Sequence, residues 1–442
     1  MTLFEDTTPW EAPNRQQNHE DGAPRQVEAT QGVAQVVVTA LLVALSFAAG
    51  WFGYGVVNRT AVAQDPNERL ILQAWSYIDQ QYVITGAIDH KKMAYAAIDA
   101  MVKTLNDTAH SRFETPEQIA NDQNQLHNQP TVGIGVLLRG GGDKPWRIEA
   151  VIPSSPASKS NVLAGDLLVA VNGVAVQGKS FSDLHDLITG SANTTVMLTL
   201  IRPSVSPTAT FDVAVTRAAY TSPTVESFVV PGTQIADILL LDFSDNAHDE
   251  LHKALKAAID QHVTGIILDL RNNGGGFLSQ AVSVASEFIP AGKGKNVMIT
   301  RDRNGQKPYA VESGGLATTI PMVVLVNEGT ASASEIVTGA IKVNRPEVHV
   351  IGEKTAGTGT ILETIYLADG SALVLGTSEW LLPNGQSIYH QGFQPDQPVT
   401  LSDSVVLLTP IVAQEQNFTL QQIKAAGDTQ FVQALQDLAP QG

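Results

Sequence analysis

The second half of the chain alternates between short apolar runs and segments of helical length, and this alternation constrains the fold more than any other feature. The apolar runs cover residues 238–241, 266–268 and 322–326, and the intervening segments 248–261 and 278–288 have helical character. Strands separated by helices are typical of a parallel sheet covered by helices. We therefore predict a layered α/β domain with a mostly parallel sheet over residues 206–442, and an associated helical part over 66–130.

Residues 131–205 follow a different period. Val132, Ile134 and Val136 alternate as they do in a strand, and Asn172-Gly173 is a tight-turn pair. Apolar alternation with turn signals indicates short β-strands rather than helices. This segment is therefore expected to form a β-rich region distinct from the α/β alternation that follows it.

The N-terminus predicts a tail followed by a membrane anchor. Residues 1–30 carry six acidic residues and two arginines without an apolar period, which is typical of a disordered segment. An anchor is predicted over 31–58, because residues 36–57 lack charge and span roughly 33 Å as a helix. Trp51, Phe52 and Tyr54 lie at its far end, where aromatic residues meet the membrane interface.

A cleaved signal peptide is the alternative to this anchor. Ala61-Val62-Ala63 resembles a cleavage site for a signal peptidase. The apolar stretch is longer than the roughly 7 to 15 residues of a signal peptide, which favours a retained single-pass anchor. The soluble part is expected outside the cytoplasm.

Composition excludes several classes of function. The 442 residues include 44 acidic and 27 basic residues, for a net charge of −17, which argues against a nucleic-acid partner. The absence of cysteine removes disulfides, thiol catalysis and cysteine-ligated metal centres. No metal or organic cofactor is implied.

Five motifs, in the same order, resemble the carboxy-terminal processing proteases of peptidase family S41. They are Gly133–Val136 with the PDZ-type segments 155–157, 164–168 and 171–173; then 267–276; 327–337; 352–355; and 382–385 with 392–396. The resemblance implies a PDZ domain at 131–205 inserted in an α/β serine protease domain. It further implies cleavage of proteins near their C-termini, with protein or peptide C-termini as partners.

The PDZ motif predicts a peptide-binding site. A glycine-rich strand opening leaves backbone N–H groups free for a peptide carboxylate, while the adjacent sheet edge pairs with the peptide. The residues assigned to this site are Gly133, Ile134, Gly135 and Val136.

The motifs at 327–337 and 267–276 predict a catalytic serine and its oxyanion hole. Aligning the family pattern places the nucleophile on Ser332, with Ser334 as the competing candidate. A position ahead of a helix N-terminus favours developing negative charge, so the N–H of Ala333 is one predicted oxyanion donor. Gly275 is the other, with Gly276 as its alternative.

The base of the family is missing from its expected position. The family uses a lysine and, four residues later, a glutamine, and these positions are Thr358 and Leu362 in this chain. A threonine hydroxyl has no accessible proton-accepting form near neutral pH. Thr358 therefore cannot replace the lysine.

Two interpretations follow from the missing lysine. Lys354 lies in the same loop and is the sequence-based candidate for the base, with His349 and His390 as more distant ones. Otherwise the chain is an inactive pseudoprotease that binds peptides through its PDZ domain and cleft. The oligomeric state is not indicated by any pattern.

Overall fold

The computed structural model describes residues 65–107, 110–127, 129–141, 144–179, 181–203, 209–402, 405–415 and 417–439. The predicted tail at 1–30 and the predicted anchor at 31–58 lie outside these ranges. Among the helices that are described, none is long and apolar enough to cross a membrane.

The helices fall in two compact units, which divide after His90. In the first unit, Asp65 caps helix α1 by accepting a hydrogen bond from the N–H of Asn67 at 2.7 Å, and a short 3-10 turn follows at Thr85–Ala87. The helices are α1 (Pro66–Gln81), α2 (His90–Lys103), α3 (Pro116–Leu126), α4 (Phe181–Ile188), α5 (Ala247–Asp260), α6 (Leu278–Phe288), α7 (Ala333–Asn344), α8 (Pro410–Glu415), α9 (Leu420–Ala425) and α10 (Thr429–Leu438).

The second unit is built on a six-stranded sheet. In spatial order its strands are β10 (Val225–Val229), β11 (Ile235–Leu240), β12 (Gly265–Asp269), β15 (Met322–Val326), β16 (His349–Gly352) and β19 (Gln397–Pro398). All described neighbours in this sheet are parallel except β10 and β11. The mostly parallel sheet predicted from the apolar runs is therefore present.

Helices cover both faces of this sheet, which explains why its central strands are continuously apolar. On one face Leu268 and Val324 pack with residues of α5, α6 and α7. On the other face Ile267 and Val323 pack with Phe431 of α10. The strand ends at Asp269 and Val326 are thereby fixed, and the loops that follow them carry the site described below.

A second sheet covers part of the helical layer. Its order is β1 (Arg112–Glu114), β18 (Ala372–Leu381), β13 (Asn296–Asp302) and β14 (Gly305–Ala310), with β17 (Thr360–Tyr366) also paired to β18. Because β1 precedes the β-rich domain in the chain and β18 follows it, the α/β domain is built from both flanking segments.

The β-rich domain is an insertion in this framework. Strands β2 (Thr131–Gly133) and β9 (Ala218–Tyr220) pair with each other as the chain enters and leaves it. Between them lies the sheet β3 (Val136–Gly141), β4 (Lys144–Val151), β5 (Leu167–Val171), β7 (Thr195–Ile201) and β8 (Thr210–Thr216), with β6 (Val174–Ala175) beside β5. The sheet extends past the predicted boundary at 205, because β8 pairs with β7 along its whole length.

Polar contacts fix the inserted domain on the C-terminal segment. The Arg139 guanidinium donates to Glu149 at 2.7 Å and to the carbonyl of Val405. Glu149, which is buried, also accepts from the N–H of Leu407 at 2.7 Å. These bonds hold the edge of the inserted sheet beside the cleft of the α/β domain.

Candidate active site

Ser332 lies between β15 and α7, in a backbone conformation that few residues adopt. Its φ is 55° and its ψ is −117°, and it is the N-cap of α7. Non-glycine residues at positive φ are strained, and such strain is concentrated at functional sites. Ser332 is partly exposed and lines a cleft with a volume of about 900 Å³.

Ser334, the competing candidate, does not line this cleft. It is fully buried, and its hydroxyl donates to the carbonyl of Asn273 at 2.9 Å. The structure therefore offers Ser332, rather than Ser334, to a substrate in the cleft.

The glycines after β12 lie directly against Ser332. Gly275 has a φ of 102°, and a Cβ built on it would be 2.8 Å from the Cβ of Ser332. Its N–H donates to Asn273 Oδ1 at 2.9 Å, so Gly275 would have to leave this bond to bind an oxyanion. The N–H groups of Gly276 and Ala333 have no hydrogen-bond partner within the described chain.

Thr358, at the family's lysine position, belongs to a buried hydrogen-bond network. Its hydroxyl accepts from the N–H of Ser332 at 2.5 Å and donates to Glu335 Oε2 at 2.7 Å. The Glu335 carboxylate also accepts from the N–H groups of Ser332 at 3.0 Å and Gly357 at 2.8 Å, and from the Thr355 hydroxyl. The network holds the backbone of Ser332 at the start of α7, and it contains no proton-accepting nitrogen.

The structure does not bring Lys354 into the cleft of Ser332. Lys354 is exposed and lines a separate cavity with Glu328 and Glu353. A lysine there lacks the desolvation that a catalytic lysine needs.

The two histidines proposed from the sequence are also outside the cleft. His349 pairs with Asp437 at 2.7 Å, and His390 packs against the ring of Tyr389. Neither lines the cleft of Ser332.

His110 is a candidate functional residue that sequence reasoning missed. It lines the same cleft as Ser332, and its Nδ1 is 2.7 Å from the hydroxyl of Thr360 on β17. Burial lowers the pKa of His110; the nearby Asp107 opposes the shift and Arg112 adds to it. The imidazole is therefore neutral, with one basic nitrogen, at neutral pH. A lone histidine just before a strand carries no sequence signal that would have identified it.

The predicted peptide-binding loop opens into this cleft as well. Gly133, Ile134, Gly135 and Val136 all line it. Within the described residues, the N–H groups of Ile134 and Gly135 have no partner, and β3 is the edge strand of its sheet. Gly135 is required there because its φ is 76° and a Cβ would lie 2.2 Å from Ser155. An edge strand with free N–H groups at its start fits the addition of an extended peptide by its C-terminus.

Comparisons with known proteins agree with this arrangement. Residues 234–399 match the profile of peptidase family S41, and residues 147–202 match that of a PDZ domain. A chloroplastic C-terminal processing peptidase of Tetradesmus obliquus is 31% identical over 73% of this chain and 72% of its own length. A carboxyl-terminal-processing protease of Synechocystis sp. is 30% identical, over 77% and 82%.

A solved structure is similar as well. The photosystem II D1 C-terminal processing protease matches with a TM-score of 0.52 and 28% identity, over 76% of this chain and 94% of that protein. The sequence of the present chain and the order of its domains therefore both place it in the carboxy-terminal processing proteases of peptidase family S41.

Proposed function

We propose that this protein is a membrane-anchored serine endopeptidase that cleaves protein substrates near their C-termini, with Ser332 as the nucleophile. One observation carries the proposal: Ser332 and the Gly133–Val136 loop line a single cleft. A chain whose C-terminus is held at the loop would therefore pass an upstream peptide bond along the cleft toward Ser332. The C-terminal processing proteases to which this chain is similar support the same class of reaction.

The chemistry follows from the groups around Ser332. The base removes the hydroxyl proton as Oγ attacks the scissile carbonyl carbon. The N–H groups of Ala333 and of the Gly275–Gly276 turn donate to the resulting oxyanion, at the positive end of α7. The C–N bond then breaks as the protonated base returns the proton to the leaving amine, and water hydrolyses the acyl-enzyme.

We infer that His110 is the proton acceptor, because it lines the cleft of Ser332 and burial lowers its pKa. In the tautomer whose Nδ1–H donates to the Thr360 hydroxyl, Nε2 carries the lone pair. Lys354, the sequence-based candidate, is exposed in a different cavity. Two variants distinguish these candidate bases: His110→Gln should abolish turnover, whereas Lys354→Ala should leave it unchanged. The reverse result would restore Lys354 as the base.

A second function, that of an inactive peptide-binding protein, is favoured by one observation. Thr358 occupies the lysine position and is fully engaged with Glu335 and Ser332. Under this alternative, the native chain binds C-terminal peptides without cleaving them. Turnover that appears only in Thr358→Lys would support a pseudoprotease.

The proteolytic proposal is tested by incubating the purified full chain with unfolded proteins and identifying the products by mass spectrometry. We expect cleavage near free C-termini, loss of cleavage in Ser332→Ala, and weaker cleavage of substrates whose C-terminus is an amide. His390→Gln serves as the matched control for His110→Gln, since His390 is exposed and lies outside the cleft. Equal cleavage of carboxylate and amide substrates would exclude capture of the C-terminus by the PDZ loop.

The anchor at 31–58 and the placement of the catalytic part outside the cytoplasm belong to the same proposal. The anchor is supported by the length of the uncharged stretch, whereas the placement of the catalytic part rests on the family resemblance. Membranes from expressing cells should retain the full-length chain after a carbonate wash. Recovery of a soluble chain that begins near Gln64 would instead indicate a cleaved signal peptide.

A further inference from the structure

A cluster of two histidines and one glutamate lies away from the cleft, between α5 and α6. His248 and His252 are one turn apart on α5, and Glu287 faces them from the last turn of α6. His248 Nε2 is 2.9 Å and His252 Nδ1 is 2.6 Å from the same oxygen, Glu287 Oε1. The three candidate ligand atoms all lie within 4.8 Å of one another.

The donor set has the chemistry of a transition-metal site. Two imidazole nitrogens and a carboxylate oxygen are ligands of Zn²⁺, with bonds of about 2.0 to 2.2 Å in a tetrahedral arrangement. The present nitrogen–oxygen distances are shorter than the ligand separations of such a site, so the two imidazoles would swing outward by less than about 1 Å. The side chains of His248 and His252 are 34% and 41% exposed, which leaves room for this movement and for a water ligand.

The carboxylate is already held for such a role. Glu287 is only 3% exposed, and its second oxygen accepts from the N–H of Leu316 at 2.8 Å. The backbone N–H of His248 donates to Gln280 Oε1 of α6 at 2.9 Å, which holds the starts of the two helices together. A partner behind a ligand orients it and raises the affinity of a metal site, and Leu316 is such a partner of Glu287.

We propose that His248, His252 and Glu287 bind a divalent transition-metal ion, with Zn²⁺ as the best fit, and that this ion ties α5 to α6. The location gives the ion a structural role. Helix α6 begins just after the Gly275–Gly276 turn. The carbonyl of Gly275 accepts a hydrogen bond of 2.9 Å from the N–H of Phe243, which lies just ahead of α5. An ion between the two helices would therefore steady the turn that lies against Ser332. The His-x-x-x-His spacing is the sequence signal of this site, and it was not recognised in the sequence.

The test is a titration of the full chain with ZnCl₂ after dialysis against a chelator. Calorimetry should show one equivalent bound, and the midpoint of urea unfolding should rise in its presence. Co²⁺ should bind to the same site and give the visible absorption of a four-coordinate ion. The double variant His248→Gln/His252→Gln should bind Zn²⁺ at least about tenfold more weakly and should lose the Co²⁺ absorption.

Two further variants keep the result interpretable. His262→Asn removes an exposed histidine at the other end of α5 and should bind Zn²⁺ as the native chain does. The single variant His252→Gln, on a half-exposed side chain, gives the same test if the double variant does not fold. The proposal would be overturned if the folded double variant, or folded His252→Gln, bound Zn²⁺ with the stoichiometry and affinity of the native chain. It would also be overturned if the native chain bound no Zn²⁺.

Discussion

Gly275→Ala tests most sharply whether the turn after β12 and Ser332 form one catalytic unit. The new Cβ would be 2.8 Å from the Cβ of Ser332 and 3.0 Å from both the carbonyl of Ala331 and the N–H nitrogen of Ala333. Ordinary van der Waals contact begins at 3.4 Å, so one backbone must withdraw by about 0.6 Å.

The expected magnitudes follow from these distances. A side chain at positive φ costs about 1 to 2 kcal/mol, and overpacking costs about 1 to 3 kcal/mol, so the free energy of unfolding should fall by roughly 2 to 5 kcal/mol. A shift of this size between the nucleophile and its oxyanion donors should lower the rate of acylation by about 100-fold.

The assay uses Gly274→Ala as the matched control. Nothing lies within 4 Å of a Cβ built on Gly274, so this variant should retain both stability and rate. Urea unfolding measures the free energy, and the rate of covalent labelling by a serine-directed fluorophosphonate measures acylation. Native stability and native labelling in Gly275→Ala would refute the close approach of the two segments.

Three more predictions concern polar groups. Thr358→Val should lower the free energy of unfolding by about 1 to 3 kcal/mol, because the buried Glu335 carboxylate and the N–H of Ser332 each lose one hydrogen bond. Val at the exposed Thr364 should change it by less than about 0.5 kcal/mol, and urea unfolding compares the two variants. In an active enzyme, kcat/KM should fall as the pH decreases through the lowered pKa of His110, whereas His110→Gln should show no turnover at any pH. Burial, with the Asp269 carboxylate nearby, raises the pKa of Asp237. The native state therefore keeps a proton on Asp237 that the unfolded state releases above pH about 3.9, so the free energy of unfolding should fall as the pH rises from there. Urea unfolding at several pH values should show a smaller fall in Asp237→Asn than in the native chain.

The α/β layering was predictable because it rests on local patterns. Strand β15 and residues 265–268 of β12 are unbroken apolar runs, and each covering helix repeats its apolar residues at helical spacing. The second sheet was not predicted, since its strands are partly exposed and pair across large separations in the chain, as β1 does with β18. The inserted sheet extends beyond the predicted end at residue 205, because pairing with β7 brings the chain back through Thr216.

The candidate site, like the fold, was predictable only where it depends on local sequence patterns. The motifs placed Ser332 and the glycine turn in loops that follow buried strands, and the structure brings these two loops together. They did not reveal that Thr358 bonds to Glu335, or that His110 lines the cleft, because both facts depend on contacts between distant segments. Lys354 was chosen for its nearness to Thr358 in the chain, but the loop directs it to another cavity.

The most direct test of the account is whether Ser332 is a working nucleophile. The purified chain is incubated with a fluorophosphonate probe near neutral pH, and the labelled residue is identified by peptide mass spectrometry. One label is expected, on Ser332, and it should be absent from Ser332→Ala and strongly reduced in His110→Gln. A folded native chain that stays unlabelled while it binds peptides with a free C-terminus would contradict the assignment of this protein as an active serine endopeptidase.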